Sequence, residues 1–153
     1  MSEYQSPRRL AELPSWLAGQ VSRYATRLVA EALATEGMSR NHFTVLTALT
    51  EKSPMSQAEI GRRLCIDRSD LHAILNDLEA RRLIVRVVDE ADRRRNRVQL
   101  TTAGKGALRR LDRRVDDAQD ALLEPLAASE RRELRRLLKK TVDYHAERPA
   151  ETI

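Results

Sequence analysis

Residues 56–88 read SQAEIGRRLCIDRSDLHAILNDLEARRLIVRVV, and this stretch decides the fold. Ser56 and Glu59 have the spacing of a capping box, in which the serine oxygen accepts a backbone N–H and the carboxylate reaches back. The box predicts a short helix over 57–64. A second helix over 68–82, capped by the aspartate before it, has apolar residues every three to four positions. Two helices joined by a short turn make a helix-turn-helix.

A β-hairpin follows the second helix directly. The runs 83–88 and 97–100 are short and rich in β-branched residues, and the charged segment 89–96 separates them. Such a pair of runs predicts two strands joined by a polar tip. A helix-turn-helix with a hairpin directly after it predicts a winged helix-turn-helix.

Amphipathic helices are expected on both sides of this unit. Apolar residues recur with helical spacing over 10–36 and 40–51, and Gly37 is the stop signal of the first helix. After the hairpin the same spacing recurs in two further helices, which Pro125 separates. The fold class expected is therefore mainly α with a small β-hairpin (α+β).

Composition excludes several classes of protein. Of the 153 residues, 41% are hydrophobic and 33% are charged, which is enough apolar material for a packed core. Cys65 is the sole cysteine, so a disulfide framework within the chain is excluded. The chain has neither a long apolar run nor an apolar signal segment at its start, which predicts a cytoplasmic protein with no membrane span. No residue pattern points to catalysis, a cofactor or a metal site, so we expect no enzyme.

The order of elements and two motifs resemble the MarR family of bacterial transcription regulators, across essentially the whole chain. Residues 57–64 look like the scaffold helix of that family, and Asp67-Arg68-Ser69 opens what looks like its recognition helix. The most specific match is Asp92-Arg93-Arg94, followed after five residues by Leu100-Thr101 and then Gly104. This spacing is that of the family's wing signature.

The chain departs from the family at several positions. Cys65 and Arg82 stand where the family usually has glycine, and a positive φ there would strain a residue with a side chain. On the recognition helix, Asp70, His72 and Ala73 stand where the family often has Thr, Thr and Arg. The operator sequence therefore does not follow from the resemblance.

The resemblance implies a sequence-specific regulator of transcription that binds double-stranded DNA. It would be a homodimeric repressor that a small aromatic or anionic effector releases from a pseudo-palindromic operator. The DNA-binding lobe would cover 38–100, and 8–37 together with 102–147 would form a helical dimerisation region continuous with it. The dimer core is expected from apolar faces too wide for one thin lobe to cover: Leu13, Leu17, Val21, Leu28, Leu134, Leu137, Leu138 and Val142.

Arginines are concentrated on the hairpin. Between positions 81 and 97, seven arginines stand against three acidic residues, and this excess favours contact with the DNA backbone and minor groove over a merely solvated loop. The family match singles out Arg94 as the residue inserted into the groove, with Asp92 holding it in place. The predicted DNA-binding residues are Ser56, Arg68, Ser69, Asp70, His72, Ala73, Asn76, Asp92, Arg93, Arg94 and Arg95.

Individual residues on the recognition helix have more than one interpretation. Asp70 is expected mainly to accept backbone N–H groups at the positive end of the helix, and the alternative is acceptance from a cytosine amino group. Ser69 is expected to donate to a phosphate oxygen. His72 and Asn76 point away from the apolar stripe, which favours contact with bases or phosphates. Cys65 is interpreted as a small buried turn residue rather than a redox switch.

Trp16, Tyr24, His42 and Phe43 are the candidate lining of an effector cleft, although Trp16 and Phe43 are equally suited to an ordinary core. The helix after the hairpin alternates arginine and aspartate, which predicts a solvated face paired at helical spacing. A function of a different class stays open, namely a winged-helix module for protein–protein contact that does not bind DNA. That alternative predicts no salt-dependent DNA binding and tolerance of the loss of wing arginines.

Overall fold

The computed structural model describes residues 7–89, 92 and 96–148 of the chain. The predicted succession of elements is confirmed, with one short helix and one short strand in addition. In chain order the elements are α1 (Arg8–Ala11), α2 (Pro14–Ala34), α3 (Arg40–Glu51), β1 (Met55–Ser56), α4 (Gln57–Leu64), α5 (Arg68–Ala80), β2 (Ile84–Val88), β3 (Asn96–Leu100), α6 (Thr102–Leu122) and α7 (Ala128–Ala146).

The first predicted helix is interrupted near its start. We expected one helix from Leu10, but α1 ends at Ala11 and α2 begins at Pro14. Leu13 is extended, with φ −89° and ψ 120°, because a residue before proline is pushed out of the helical region. Proline itself suits the first position of a helix, where its missing N–H costs nothing. The long first helix therefore starts at Pro14.

The capping box of the helix-turn-helix is confirmed. The Ser56 hydroxyl oxygen accepts the backbone N–H of Glu59 at 3.2 Å, and the Glu59 carboxylate accepts the N–H of Ser56 at 2.7 Å. This box starts α4 at the predicted residue. The second helix, α5, ends at Ala80, slightly before the predicted end.

Cys65 and Arg82, which stand where the family usually has glycine, both adopt the left-handed conformation, with φ of 52° and 59°. Each lies at the end of a helix, where glycine would adopt this conformation without strain. The predicted burial of Cys65 is wrong, because its side chain is exposed. The left-handed turn directs the thiol outward, and Ile66 is the turn residue that packs against the core.

A third strand, which the sequence did not predict, joins the hairpin. The strands β2 and β3 pair antiparallel, with Ile84 opposite Leu100, and β1 pairs with the other edge of β3, with Met55 opposite Val98. The order in the sheet is β1-β3-β2. A strand of two residues shows no alternation of its own, so only its pairing reveals it. Through β1, the start of α4 is attached directly to the wing.

The core lies where α3, α5, the sheet and the first half of α6 meet. Gly104 allows the closest approach, because a Cβ at this position would lie 2.0 Å from the carbonyl oxygen of Leu83. The Thr101 hydroxyl donates to that same oxygen at 3.0 Å, which ties the start of α6 to the start of the wing. The fully buried side chains are Leu33, Val45, Leu46, Leu49, Met55, Ile60, Leu71, Leu75, Leu78, Ile84, Val98 and Leu111.

Charged side chains of α6 pair with neighbouring elements. Arg110 and Arg114 both contact Glu36, just past the end of α2, with N–O distances of 3.3 and 3.5 Å. Asp120 pairs with Arg131 of α7 at 2.8 Å. The expected pairing along the helix itself is wrong for these residues, because the elements on either side bring an opposite charge closer than the next turn does.

Candidate nucleic-acid interface

Helix α5 has one buried face and one exposed face. Its buried side chains are Leu71, Ile74, Leu75 and Leu78. The opposite face carries all of the residues predicted on this helix to contact DNA, and each of them is exposed: Arg68, Ser69, Asp70, His72, Ala73 and Asn76. The packing of the leucine stripe therefore presents the predicted set to the outside as one surface.

The start of α5 is capped by Asp67, which confirms the cap predicted for this helix. The Asp67 carboxylate accepts the backbone N–H of Ser69 at 2.7 Å and its hydroxyl at 2.6 Å. These two hydrogen bonds lower the pKa of Asp67 below its usual value, with the hydroxyl as the larger cause. The expected capping role of Asp70 is therefore wrong, since Asp67 takes the N–H. The Ser69 proton is engaged as well, which leaves the lone pairs of its oxygen facing outward.

Ser56 and Glu59 belong to the base of the wing. Glu59 accepts from Ser56, lies 3.3 Å from Lys52 Nζ and lies 3.4 Å from a terminal nitrogen of Arg97 on β3. Hydrogen bonds from Ser56 lower the pKa of Glu59 to about 2, so Glu59 is ionised at neutral pH. Arg97 Nε also lies 3.4 Å from Asp89 Oδ2. These ion pairs attach both wing strands to α4.

The tip of the wing carries the remaining predicted residues. Asp92 is half-buried at the end of the hairpin. The predicted contacts of Arg93, Arg94 and Arg95 lie outside the described residues. The expectation that Asp92 orients Arg94 therefore stays a prediction.

Asn76 of α5 is linked to the wing through Arg86 of β2. Arg86 donates from one terminal nitrogen to Asn76 Oδ1 at 2.8 Å and from the other to the carboxylate of Glu79. The sequence interpretation did not include Arg86 or Glu79. The available signal was an arginine two positions after buried Ile84, and therefore on the same face of the strand.

An open hollow of about 1090 Å³ separates α4 from the start of α5. Ala58, Gly61, Ile66 and Leu71 make its lining partly apolar. Charged and polar side chains also line it, namely Gln57, Arg62, Asp67, Arg68, Ser69 and His72. The hollow is thus continuous with the exposed face of α5.

The four residues predicted for an effector cleft are not brought together. Tyr24 is exposed on α2, with the guanidinium carbons of Arg23 and Arg27 at 5.9 and 5.8 Å from its ring centre. His42 faces α5, where its Nε2 lies 3.0 Å from Asp77 Oδ2. Trp16 is half-buried near the start of α2.

Phe43 lines a cavity that lies between α2, α3 and α6. The cavity has a volume of about 340 Å³. Ala25 and Val29 contribute apolar lining, and Arg40 and Gln119 contribute polar groups. The sequence interpretation missed these lining residues, because they come from three helices and share no motif.

Within 7–89, 92 and 96–148, no helix is both long and apolar enough to cross a membrane. The same part of the chain contains no group of three or more His, Cys, Asp or Glu side chains placed to hold a metal ion.

A helix-turn-helix with an exposed second helix and an attached hairpin defines a winged helix-turn-helix protein. The sequence profile of the MarR family matches residues 36–95. A Thauera aromatica protein, described as a transcriptional regulatory protein for the hcr operon, is 31% identical over 116 residues, covering 76% of this chain and 70% of that protein. The chain belongs to the MarR family of transcription regulators, and it is a DNA-binding regulator rather than an enzyme.

Solved structures of this family superpose on most of the chain. The transcriptional repressor CouR bound to a 23-mer DNA duplex has a TM-score of 0.78 and 27% identity, covering 90% of this chain and 98% of that one. The PcaV regulator from Streptomyces coelicolor in complex with its natural ligand has a TM-score of 0.69 and 29% identity, covering 91% and 98%.

Proposed function

We propose that this chain is a homodimeric repressor that binds a pseudo-palindromic operator and is released from it by a small-molecule effector. One observation carries the proposal: the exposed face of α5 gathers polar side chains on a helix whose opposite face is buried. In a fold similar to that of a DNA-bound repressor, this face is suited to the major groove. A protein that regulates bacterial genes in this way works in the cytoplasm.

The dimer is supported by apolar side chains that the chain leaves uncovered. Helix α7 buries none of its residues, although Leu137, Leu138 and Val142 are 46%, 50% and 64% exposed. Leu17 and Val21 of α2 are exposed as well. A second copy of the chain would cover both faces, so 8–37 and 102–147 would form the dimerisation region and 38–100 the DNA-binding lobe. Two-fold symmetry then favours a palindromic operator.

The effector site is best placed in the cavity between α2, α3 and α6. Phe43 and Val29 provide apolar contact, and Arg40 provides a cation at the same cavity, which suits a small aromatic acid. The cavity joins helices of both proposed regions, so an occupant can change their relative position. The effector releases DNA only if it binds the DNA-incompetent state more tightly than the competent one.

The wing is proposed to read the flanking minor groove with Arg94, while Asp92 orients it. To test this, Arg94→Ala and Asp92→Ala would be compared in gel shifts at two salt concentrations, with selected operator DNA. Both changes should weaken binding, although they change the net charge in opposite directions. Plain electrostatics predicts instead that Asp92→Ala binds more tightly, because it removes a negative charge.

The salt series also separates the two classes of function. A repressor that contacts phosphates loses affinity steeply as salt rises, whereas a protein–protein module shows no salt-dependent shift. Tighter binding by Asp92→Ala, with the fold and oligomeric state unchanged, would make the wing a simple phosphate clamp. Absence of a shift for the wild type at low salt would favour the module.

A further inference from the structure

We propose that Arg86 holds Asn76 as a hydrogen-bond donor, and that Asn76 thereby selects guanine over adenine in the major groove. This inference rests on the proposed DNA-binding function and extends it to the choice of base. It concerns a contact between the recognition helix α5 and the wing strand β2 that lies at the DNA-reading surface.

Asn76 is placed to reach DNA. It lies on the exposed face of α5, one turn beyond His72 and about 6 Å farther along the helix axis. Its side chain is exposed although its carbonyl oxygen is engaged. It therefore stands at the end of the reading face that adjoins the wing.

The orientation of the Asn76 amide follows from the chemistry of its partner. A guanidinium group only donates hydrogen bonds, so the atom of Asn76 that contacts Arg86 at 2.8 Å is the carbonyl oxygen. Arg86 is itself held from the other side by Glu79 and is largely covered, with 23% of its side chain exposed. The cation thus fixes the amide, and the NH₂ group is the part left to bind.

This orientation changes which base Asn76 prefers. A free asparagine recognises adenine with two groups, because its carbonyl accepts from the adenine amino group while its NH₂ donates to N7. In this chain Arg86 takes one of the two lone pairs of the carbonyl oxygen, and its positive charge repels an adenine amino group that approaches the other. Guanine presents two acceptors, N7 and O6, and both suit the Asn76 NH₂ group as donor. Because Arg86 polarises the carbonyl of the same amide, the NH₂ group becomes a stronger donor.

The test uses the full-length protein and a randomised DNA duplex library, sequenced after selection. Wild type should enrich guanine at one position of each half-site. Arg86→Met, which keeps the aliphatic stem, should reduce the preference for guanine over adenine at that position by roughly tenfold. Asn76→Ala should lose the preference there, and the double variant should behave like Asn76→Ala alone, because Arg86 acts through Asn76.

Controls separate this effect from loss of charge or of fold. Arg109→Met removes an arginine that is exposed on α6, and it should leave the selected motif unchanged. Thermal melting identifies any variant that unfolds, and Glu79→Gln provides a milder change that loosens Arg86 without removing its cation. It should shift the preference in the same direction by a smaller factor.

Three outcomes would overturn the inference. An unchanged motif in a folded Arg86→Met variant would show that Arg86 does not set the choice of base. Uniformly weaker binding by Asn76→Ala, with no position altered, would make Asn76 a phosphate contact. Absence of any enrichment by wild type would instead overturn the proposed function, and this inference with it.

Discussion

At the scale of single residues, two positions carry an unfavourable backbone conformation. Cys65 and Arg82 have φ of 52° and 59°, and for a residue with a Cβ the left-handed region costs about 1–2 kcal/mol. The Cys65 thiol makes only a weak contact in return, at 3.9 Å from the carbonyl oxygen of Arg62. The turn of the helix-turn-helix therefore stores strain that no strong side-chain contact offsets.

Replacing Cys65 by glycine should relieve that strain. We expect Cys65→Gly to raise the free energy of unfolding by about 0.5–1 kcal/mol, because the gain in the folded state exceeds the added entropy of the unfolded chain. Urea denaturation at a fixed protein concentration measures the change. Cys65→Ser keeps the Cβ and should show no gain. An equal gain in both variants would trace the effect to the thiol instead of the backbone.

At the scale of elements, His42 connects α3 to α5. Its Nδ1 accepts the backbone N–H of Ser39 at 3.1 Å, so the ring proton is on Nε2, which lies 3.0 Å from Asp77. Arg81 also pairs with Asp77 at 2.8 Å. Burial lowers the pKa of His42 below its usual 6.5, opposed by Asp77 and assisted by Arg81. A second proton would have to bind Nδ1 and would displace the N–H of Ser39.

The stability of the protein should therefore fall on mild acidification. Because the folded state lowers the pKa of His42, the unfolded chain binds the proton first, and the contribution of neutral His42 is lost as pH falls below about 6.5. The free energy of unfolding, measured in urea from pH 7.5 to 5.5, should decline in wild type and less steeply in His42→Gln. His72→Gln, at an exposed position on α5, should retain the wild-type slope. A wild-type slope in His42→Gln would assign the effect to other groups.

At the scale of the whole molecule, the single chain leaves an apolar face of α7 exposed. Leu137, Leu138 and Val142 lie on this face, while Glu133, Arg136 and Lys139 are paired on the polar side. A helix with this arrangement gains stability mainly by burying its apolar stripe. The proposed dimer supplies that burial.

Leu137→Asp should dissociate the dimer without unfolding the lobe around the core. Leu137 is 46% exposed in the single chain, so a carboxylate is tolerated there, whereas burial without a partner costs several kcal/mol at a dimer interface. Sedimentation velocity measures the outcome, and Lys140→Gln makes the same change in charge on the opposite face. A Leu137→Asp protein that stays dimeric would show that this face is not the interface.

Much of the fold was predictable because its signals are local. The start of α4 depends on Ser56 and Glu59, which lie three residues apart, and the break before α5 depends on Cys65 and its left-handed turn. The exposed face of α5 followed from the spacing of its leucines. In each case the residues that interact are close together in the chain, so the feature can be predicted without knowledge of the tertiary structure.

Other features were beyond the sequence because their partners are distant along it. The strand β1 exists only through its pairing with β3, in which Met55 lies opposite Val98 and Ser56 opposite Arg97. Arg110 and Arg114 of α6 pair with Glu36 rather than with a charge on their own helix. The effector cleft was predicted from the family resemblance and from residue chemistry, and of its four residues the structure places Phe43 at the cavity between α2, α3 and α6.

Local patterns in the sequence were enough to predict the winged helix-turn-helix, the family and the surface that we propose faces DNA, since periodicity and caps act between residues one or two turns apart. Only the tertiary structure decided how the reading helix is joined to the wing. Arg86 lies ten positions from Asn76, and they meet because β2 folds back along α5. A hydrogen bond of this kind depends on how two backbone segments are placed relative to each other in space. The spacing of residues along the chain does not specify that placement.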